Sequence, residues 1–246
     1  MTKRLLTLVA VGAMLACGSV ADAPPRTLTV FAASSLKPAF DKIGEEFKAA
    51  HGIGAIFSYA GTQTLTSQLT QGAPADVFAS ADMAHMTTAD DAGLLSGRAK
   101  VFAHNKLEIA VAKGNPKGIH SLADLARAGL VIVLADPSVP AGKYAAQALN
   151  NAGVTVHPAS LEQQVTGVLS KVAIGDADAG IVYVSDIVTN GQVDGVVIPD
   201  AQNVIADYPI AILKAAQNQA GATAFVNLVL SAEGQAILKA AGFEGV

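Results

Sequence analysis

The 246-residue chain is 51% hydrophobic and 15% charged, with a formal charge of −4. That length gives one large domain or two small ones, and that apolar content excludes a chain disordered throughout. The acidic balance argues against a nucleic-acid partner, the 5% aromatic content without Trp argues against a sugar- or base-stacking surface, and the single cysteine excludes an intrachain disulfide.

Lys3 and Arg4 precede an uncharged run from Leu5 to Ala16 that ends at Cys17. The run is too short for a bilayer-spanning helix, which needs about 20 residues, and it has the length and flanks of a secretory signal. Met14-Leu15-Ala16-Cys17 resembles a bacterial lipoprotein cleavage box, departing from it at Met14, where leucine is usual. The expectation is a signal peptide over 1–16 and a lipidated Cys17 that opens a polar tether over 17–26. An ordinary signal cut after Ala21 is the alternative. A diacylated cysteine carries two chains, enough for stable anchoring.

From residue 27 onward, short apolar runs alternate with helical spacings. Thr27–Phe31 reads as a buried strand, and Leu36, Phe40, Ile43 and Phe47 recur as the face of a helix behind it. Strands are predicted at Ile53–Ser58 and Asp76–Ser80, with a helix through Leu65 and Leu69 between them. Further strands follow at Lys106–Ala112, Leu130–Ala135, Ala179–Tyr183, Gly195–Pro199 and Pro209–Leu213. Helices are predicted over Ser121–Ala128, Gly142–Asn151, Val165–Ile174, Ala222–Leu230 and Ala232–Ala241. The alternation predicts an α/β fold with mostly parallel sheets, which takes ligands beyond the carboxyl ends of its strands. So many strands are a large number for one sheet in a chain of this length, which fits a lobed architecture.

Several catalytic signatures are missing: no G-x-S-x-G elbow, no G-x-G-x-x-G after a strand and no H-E-x-x-H. Ala141-Gly142-Lys143 is not a P-loop end, because Pro137 and Tyr144 stand where glycine and Ser or Thr are required. The five histidines are scattered. Asp82 and His85 share a helical spacing but read as a solvated face, since a metal site needs three or four ligands. The carboxylates mostly lie in loops or beside Lys and Arg, so none stands out as an acid–base pair.

What remains is a set of small and hydroxylated residues placed between strands and helices. Ala32-Ala33-Ser34-Ser35 precedes the first helix, with Ser35 expected as its N-cap and Pro38 in its first turn. Tyr59-Ala60-Gly61-Thr62 precedes the second, with Thr62 again read as a cap. Pro137 to Gly142 and Glu162 to Val165 open two more; Ala141 and Val165 have no capping side chain and offer only backbone amides. Each helix start carries unpaired N–H groups and a partial positive charge. Several of them converging would hold an anion without Lys or Arg. A secreted hydrolase is the competing reading of such an α/β chain, and no nucleophile with a positioned base supports it.

Four ordered blocks carry a resemblance. They are Thr29-Val30-Phe31-Ala32-Ala33-Ser34-Ser35-Leu36, the run Gly72-Ala73-Pro74-Ala75-Asp76 to Asp82, the run Asp136-Pro137-Ser138-Val139-Pro140-Ala141-Gly142 to Ala145, and Gly180-Ile181-Val182-Tyr183-Val184-Ser185-Asp186. Together they resemble molybdate-binding proteins, the substrate-binding components of molybdate ABC importers. The second block is shared with other oxyanion binders. The resemblance implies a type II periplasmic-binding-protein fold: two α/β lobes joined by a two-crossing hinge, with lobe 1 over 27–107 and 207–246 and lobe 2 over 108–206. It implies an extracytoplasmic, monomeric, non-enzymatic protein that passes molybdate or tungstate to a membrane permease. No cofactor and no direct cation ligand are implied. Ser35 and Thr62 would donate hydroxyl and amide, although serine is commoner at the second position. Ala141 and Val165 would donate amides, and Tyr183 its phenol. The alternative is the same fold holding another oxyanion such as sulfate or thiosulfate.

Overall fold

The computed structural model describes residues 27–246. The signal, tether and Cys17 expectations lie outside the described residues. Within them the strands are β1 (Thr27–Ala33), β2 (Gly54–Ala60), β3 (Val77–Ala79), β4 (Lys100–Asn105), β5 (Leu107–Ala112), β6 (Ile132–Ala135), β7 (Ser160–Glu162), β8 (Ala179–Tyr183), β9 (Val193–Val197) and β10 (Ala206–Ile212). The α-helices are α1 (Lys37–His51), α2 (Thr62–Thr70), α3 (Met83–Asp91), α4 (Pro140–Asn151), α5 (Val165–Ala173), α6 (Val184–Asn190), α7 (Gln219–Leu230) and α8 (Ala232–Ala240).

The strands form two five-stranded sheets, ordered β2-β1-β3-β10-β4 and β7-β6-β8-β5-β9. The expectation of mostly parallel sheets is corrected. Four strand pairs are parallel and four are antiparallel, all of the latter made by β10 and β5. Those two strands are the ones that carry the chain into a new sheet, so they enter against the local direction. Four elements lacked a periodic signal. α3 buries only Met86 and Ala89. β7 has three residues and no fully buried one. β4 and α6 adjoin β5 and β8 with almost no connecting loop. The segment expected as a helix over Ser121–Ala128 is a short 3-10 turn, Leu122–Ala126.

The scarce aromatics are concentrated in the first sheet's core. Phe40 of α1 meets Phe57, Phe102 and Phe225 at ring-centroid distances of 6.1, 5.7 and 5.8 Å. β1 is buried along nearly its whole length, and so reads as a continuous apolar run rather than an alternating one. α1 ends at Gly52, whose φ of 67° supplies the left-handed turn that closes the helix.

The chain passes between the sheets twice, at Lys106 and through residues 198–205. Asn203 fastens the two crossings to each other. Its amide nitrogen donates to the Leu107 and Ile198 carbonyls at 2.9 and 3.2 Å, and its carbonyl accepts from the Leu107 and Val204 N–H groups at 3.0 and 2.8 Å. The crossings therefore move as one hinge.

Candidate functional site

The five residues singled out from the sequence surround one small cavity. Ser35 and Thr62 reach it from helical segments beside the first sheet, Ala141 and Val165 from helices beside the second, and Tyr183 from the end of β8. No charged side chain lines it.

Four helical segments open onto this cavity: the 3-10 turn Ser34–Leu36 that leads into α1, then α2, α4 and α5. Their cap positions are Ala33, Gly61, Val139 and Gln164, and none makes a side-chain capping bond. Three α-helices that start elsewhere are capped conventionally. Asp82 caps α3, Asn218 caps α7 and Ser231 caps α8, each accepting a backbone N–H. The contrast has a physical meaning. Buried first-turn amides need an acceptor, and at these four starts the protein leaves that acceptor to the cavity. Their dipoles add positive potential there without any cationic side chain.

The hydroxyls differ from expectation in detail. Ser35 is not the cap of α1; that position falls on Leu36, with Pro38 in the first turn. Ser35 sits inside the 3-10 turn, and its Oγ lies 2.9 Å from the Tyr208 hydroxyl. Thr62 is the first residue of α2 rather than its cap. Its Oγ1 accepts the Ala81 N–H at 3.2 Å, which leaves its own proton free to point elsewhere. The Tyr183 hydroxyl is fully buried and has no hydrogen-bond partner among the described residues. Burial pushes the Tyr183 phenol well above its ordinary pKa, so it stays a donor.

Two further expectations are corrected. Asp82 and His85 are not a solvated face. Asp82 is 1% exposed and accepts both the backbone N–H and the ring Nδ1 of His85, at 2.9 Å each. Nor do all carboxylates lie in loops or beside cations. Asp186 is 4% exposed and accepts the Tyr183 N–H at 3.0 Å; burial pushes it up to about 7, against the pull of that hydrogen bond. Among the described residues no group of three or more His, Cys, Asp or Glu is placed to hold a cation.

The two halves also touch directly beside Gly61 of the cavity wall. Gln63 Nε2 of α2 donates to the Gln163 carbonyl, before α5, at 2.8 Å. A Cβ on Gly61 would lie 2.4 Å from that same carbonyl. Tyr208, Gly61 and this glutamine pair were not anticipated from the sequence. Tyr208 stands 173 positions from Ser35, and no periodicity links them.

A family model described as bacterial extracellular solute-binding protein matches residues 28–244. The molybdate-binding protein ModA of Mycobacterium tuberculosis is 45% identical over 249 residues, covering 97% of this chain and 95% of that one. Among solved structures, the periplasmic molybdate-binding protein of Azotobacter vinelandii superposes with a TM-score of 0.79 at 25% identity, over 88% of this chain and 98% of that one. The sulfate-binding protein SubI of M. tuberculosis gives a TM-score of 0.80 at 21% identity, over 89% and 87%, which is a likeness of fold. With its two mixed α/β sheets and its full-length family match, the chain belongs to the bacterial extracellular solute-binding proteins.

Proposed function

We propose that this protein captures molybdate, and equally tungstate, in the cavity between its lobes and hands it to the membrane permease of an ABC importer, with no catalytic step. The observation that carries the reading is the charge-free cavity ringed by four uncapped helix starts and the unpartnered Tyr183 hydroxyl. The 45% identity to a molybdate-binding protein supports the choice of ligand. We divide the chain into lobe 1, residues 27–107 and 207–246, and lobe 2, residues 108–206. The separation of the strands into two sheets supports that division.

Molybdate and tungstate are fully deprotonated dianions at neutral pH, so their oxygens only accept hydrogen bonds. The proposed contacts only donate: the Ser35 and Thr62 hydroxyls and amides, the Ala141 and Val165 amides, and the Tyr183 phenol. Each such bond to a charged acceptor contributes roughly 1.5–3 kcal/mol, set against a large cost of desolvating the anion. Hydrogen phosphate brings a proton with no acceptor to meet it, and a site of this kind rejects it. Sulfate has the same charge but shorter bonds and leaves some donors unpaired. A neutral site also opens without breaking a salt bridge, which suits release to the permease. The protein works outside the cytoplasm, held to the membrane through Cys17.

Calorimetric titration with molybdate, tungstate, sulfate and phosphate tests this directly. Heat is expected with the first two and little with phosphate; absence of molybdate binding by ligand-free protein sinks the reading. Ser35→Ala and Thr62→Ala are each expected to lower molybdate affinity about 10- to 100-fold. Thr62→Ala also strips the Ala81 amide of its partner and lowers stability by about 1 kcal/mol. Unchanged affinity in both variants refutes the site assignment.

A further inference from the structure

We propose that Tyr208 is the positioning residue of the anion site: its hydroxyl donates to Ser35 Oγ and thereby turns the Ser35 proton into the cavity. The inference rests on the anion-binding reading above and names the residue that sets the polarity of that site.

A serine hydroxyl has one proton and accepts through its oxygen. An oxyanion offers no proton, so Ser35 serves it only by donating. The Ser35 oxygen then needs its hydrogen bond from elsewhere in the protein. The side-chain group within reach is Tyr208, at 2.9 Å, where either oxygen can be the donor. A ligand that draws the serine proton into the cavity makes Tyr208 the donor of that pair.

Tyr208 is held in place for this part by the groups around it. It is fully buried at the start of β10, just beyond the second hinge crossing. Its ring meets Tyr183, Phe102 and Phe243 edge-on, at centroid distances of 5.8, 6.3 and 5.3 Å. The Asn105 side-chain amide, at the first crossing, lies beside its hydroxyl. That amide nitrogen also donates to Ser185 Oγ at 2.8 Å. An amide NH2 donates and does not accept, so it meets a Tyr208 lone pair and leaves the Tyr208 proton for an acceptor; Ser35 Oγ stands at 2.9 Å, with the Tyr183 hydroxyl also close by. Burial holds the phenol above its ordinary pKa, so that proton is present throughout the physiological range.

Thr62 obeys the same logic by another route. Its oxygen takes the Ala81 N–H, and its proton is left over. Both hydroxyls of the first lobe therefore have their accepting role filled by a scaffold donor. An anion that only accepts therefore suits these two hydroxyls better than one that must also give a proton. Selectivity against protonated anions thus lies partly outside the cavity wall, in the hydroxyl behind Ser35.

Tyr208→Phe keeps the ring and removes only the hydroxyl. Molybdate titration of this variant is expected to show about 10-fold weaker binding, with the melting temperature of the ligand-free protein recorded alongside. The decisive measurement is the cycle with Ser35→Ala. A residue acting through Ser35 has no further effect once the serine hydroxyl is gone, so Ser35→Ala and the double variant should bind alike. A hydroxyl acting independently of Ser35 would weaken both backgrounds equally. Wild-type affinity in Tyr208→Phe, or a loss of the same size in the Ser35→Ala background, overturns the proposal while molybdate binding by the wild type keeps the wider reading intact. If the wild type binds no oxyanion, that reading fails first and this inference with it. Should Tyr208→Phe not fold, 3-fluorotyrosine at 208 retains ring and hydroxyl but donates more strongly. It is expected to change affinity only where Ser35 is present, and an unaltered affinity there overturns the proposal.

Discussion

Asp186 stands at the start of α6 with its carboxylate turned back onto the Tyr183 N–H, and burial pushes its pKa up to about 7. An unfolded aspartate titrates near 3.8. The folded protein therefore binds a proton that the unfolded chain has already lost across the interval between these values. Stability that is complete below about pH 4 falls as the pH rises through 7, and stays lower above it. The difference is on the order of 4 kcal/mol at one pKa unit per 1.4 kcal/mol. Asp186→Asn keeps an oxygen acceptor for Tyr183 and removes the charge. Urea unfolding at pH 5 and pH 8 should show a pH-dependent loss in the wild type that the variant lacks, leaving the variant more stable at pH 8. The same slope in both proteins would rule out Asp186 as its source. Ser35 and Thr62 stood out in the sequence as hydroxyls at helix starts, and Tyr183 came only with the family resemblance. Residue identity was not enough for Asp186, whose raised pKa comes from burial rather than from its neighbours in the chain.

Among the elements, the helix starts divide by what lies in front of them. α3, α7 and α8 carry Asp82, Asn218 and Ser231 as caps. The starts at Ala33, Gly61, Val139 and Gln164 face the cavity and carry none. This pattern was half legible. Pro38 and Pro140 mark first turns in the sequence, but only the folded chain shows which starts point at the same space. Gly61 illustrates the limit. Its φ of −60° suits any residue, so the glycine is not there for backbone freedom. It is there because a Cβ would meet the Gln163 carbonyl at 2.4 Å, across the cleft. Gly61→Ala should fold normally and yet hold the lobes apart, breaking the bond from Gln63 to Gln163. The expected outcome is molybdate binding at least about 10-fold weaker, chiefly through faster release in stopped-flow measurements. Small-angle scattering with saturating ligand should give a larger radius of gyration than for the wild type. An unchanged release rate would show that this contact does not govern closure.

At the scale of the whole molecule, two sheets joined by a hinge pinned at Asn203 make a clamp whose jaws each bring part of one donor set. No helix among the described residues is long and apolar enough to cross a membrane; the proposed lipid on Cys17 is a separate means of attachment, with its own test. Cys17→Ser is expected to move the protein from the membrane to the soluble fraction of cells, leaving the molybdate affinity of the purified protein unchanged. Retention in the membrane fraction would contradict the tether. By itself the sequence determined the α/β class, the order of most elements, the family and the residue types of the site, because each of these is written in local spacing or in short contiguous blocks. The tertiary structure alone decided the antiparallel entries of β5 and β10, the burial of Asp186, the close approach at Gly61 and the placing of Tyr208 behind Ser35. Those depend on contacts between positions about a hundred residues or more apart, or on desolvation by the assembled core, and neither leaves a periodic trace in the chain.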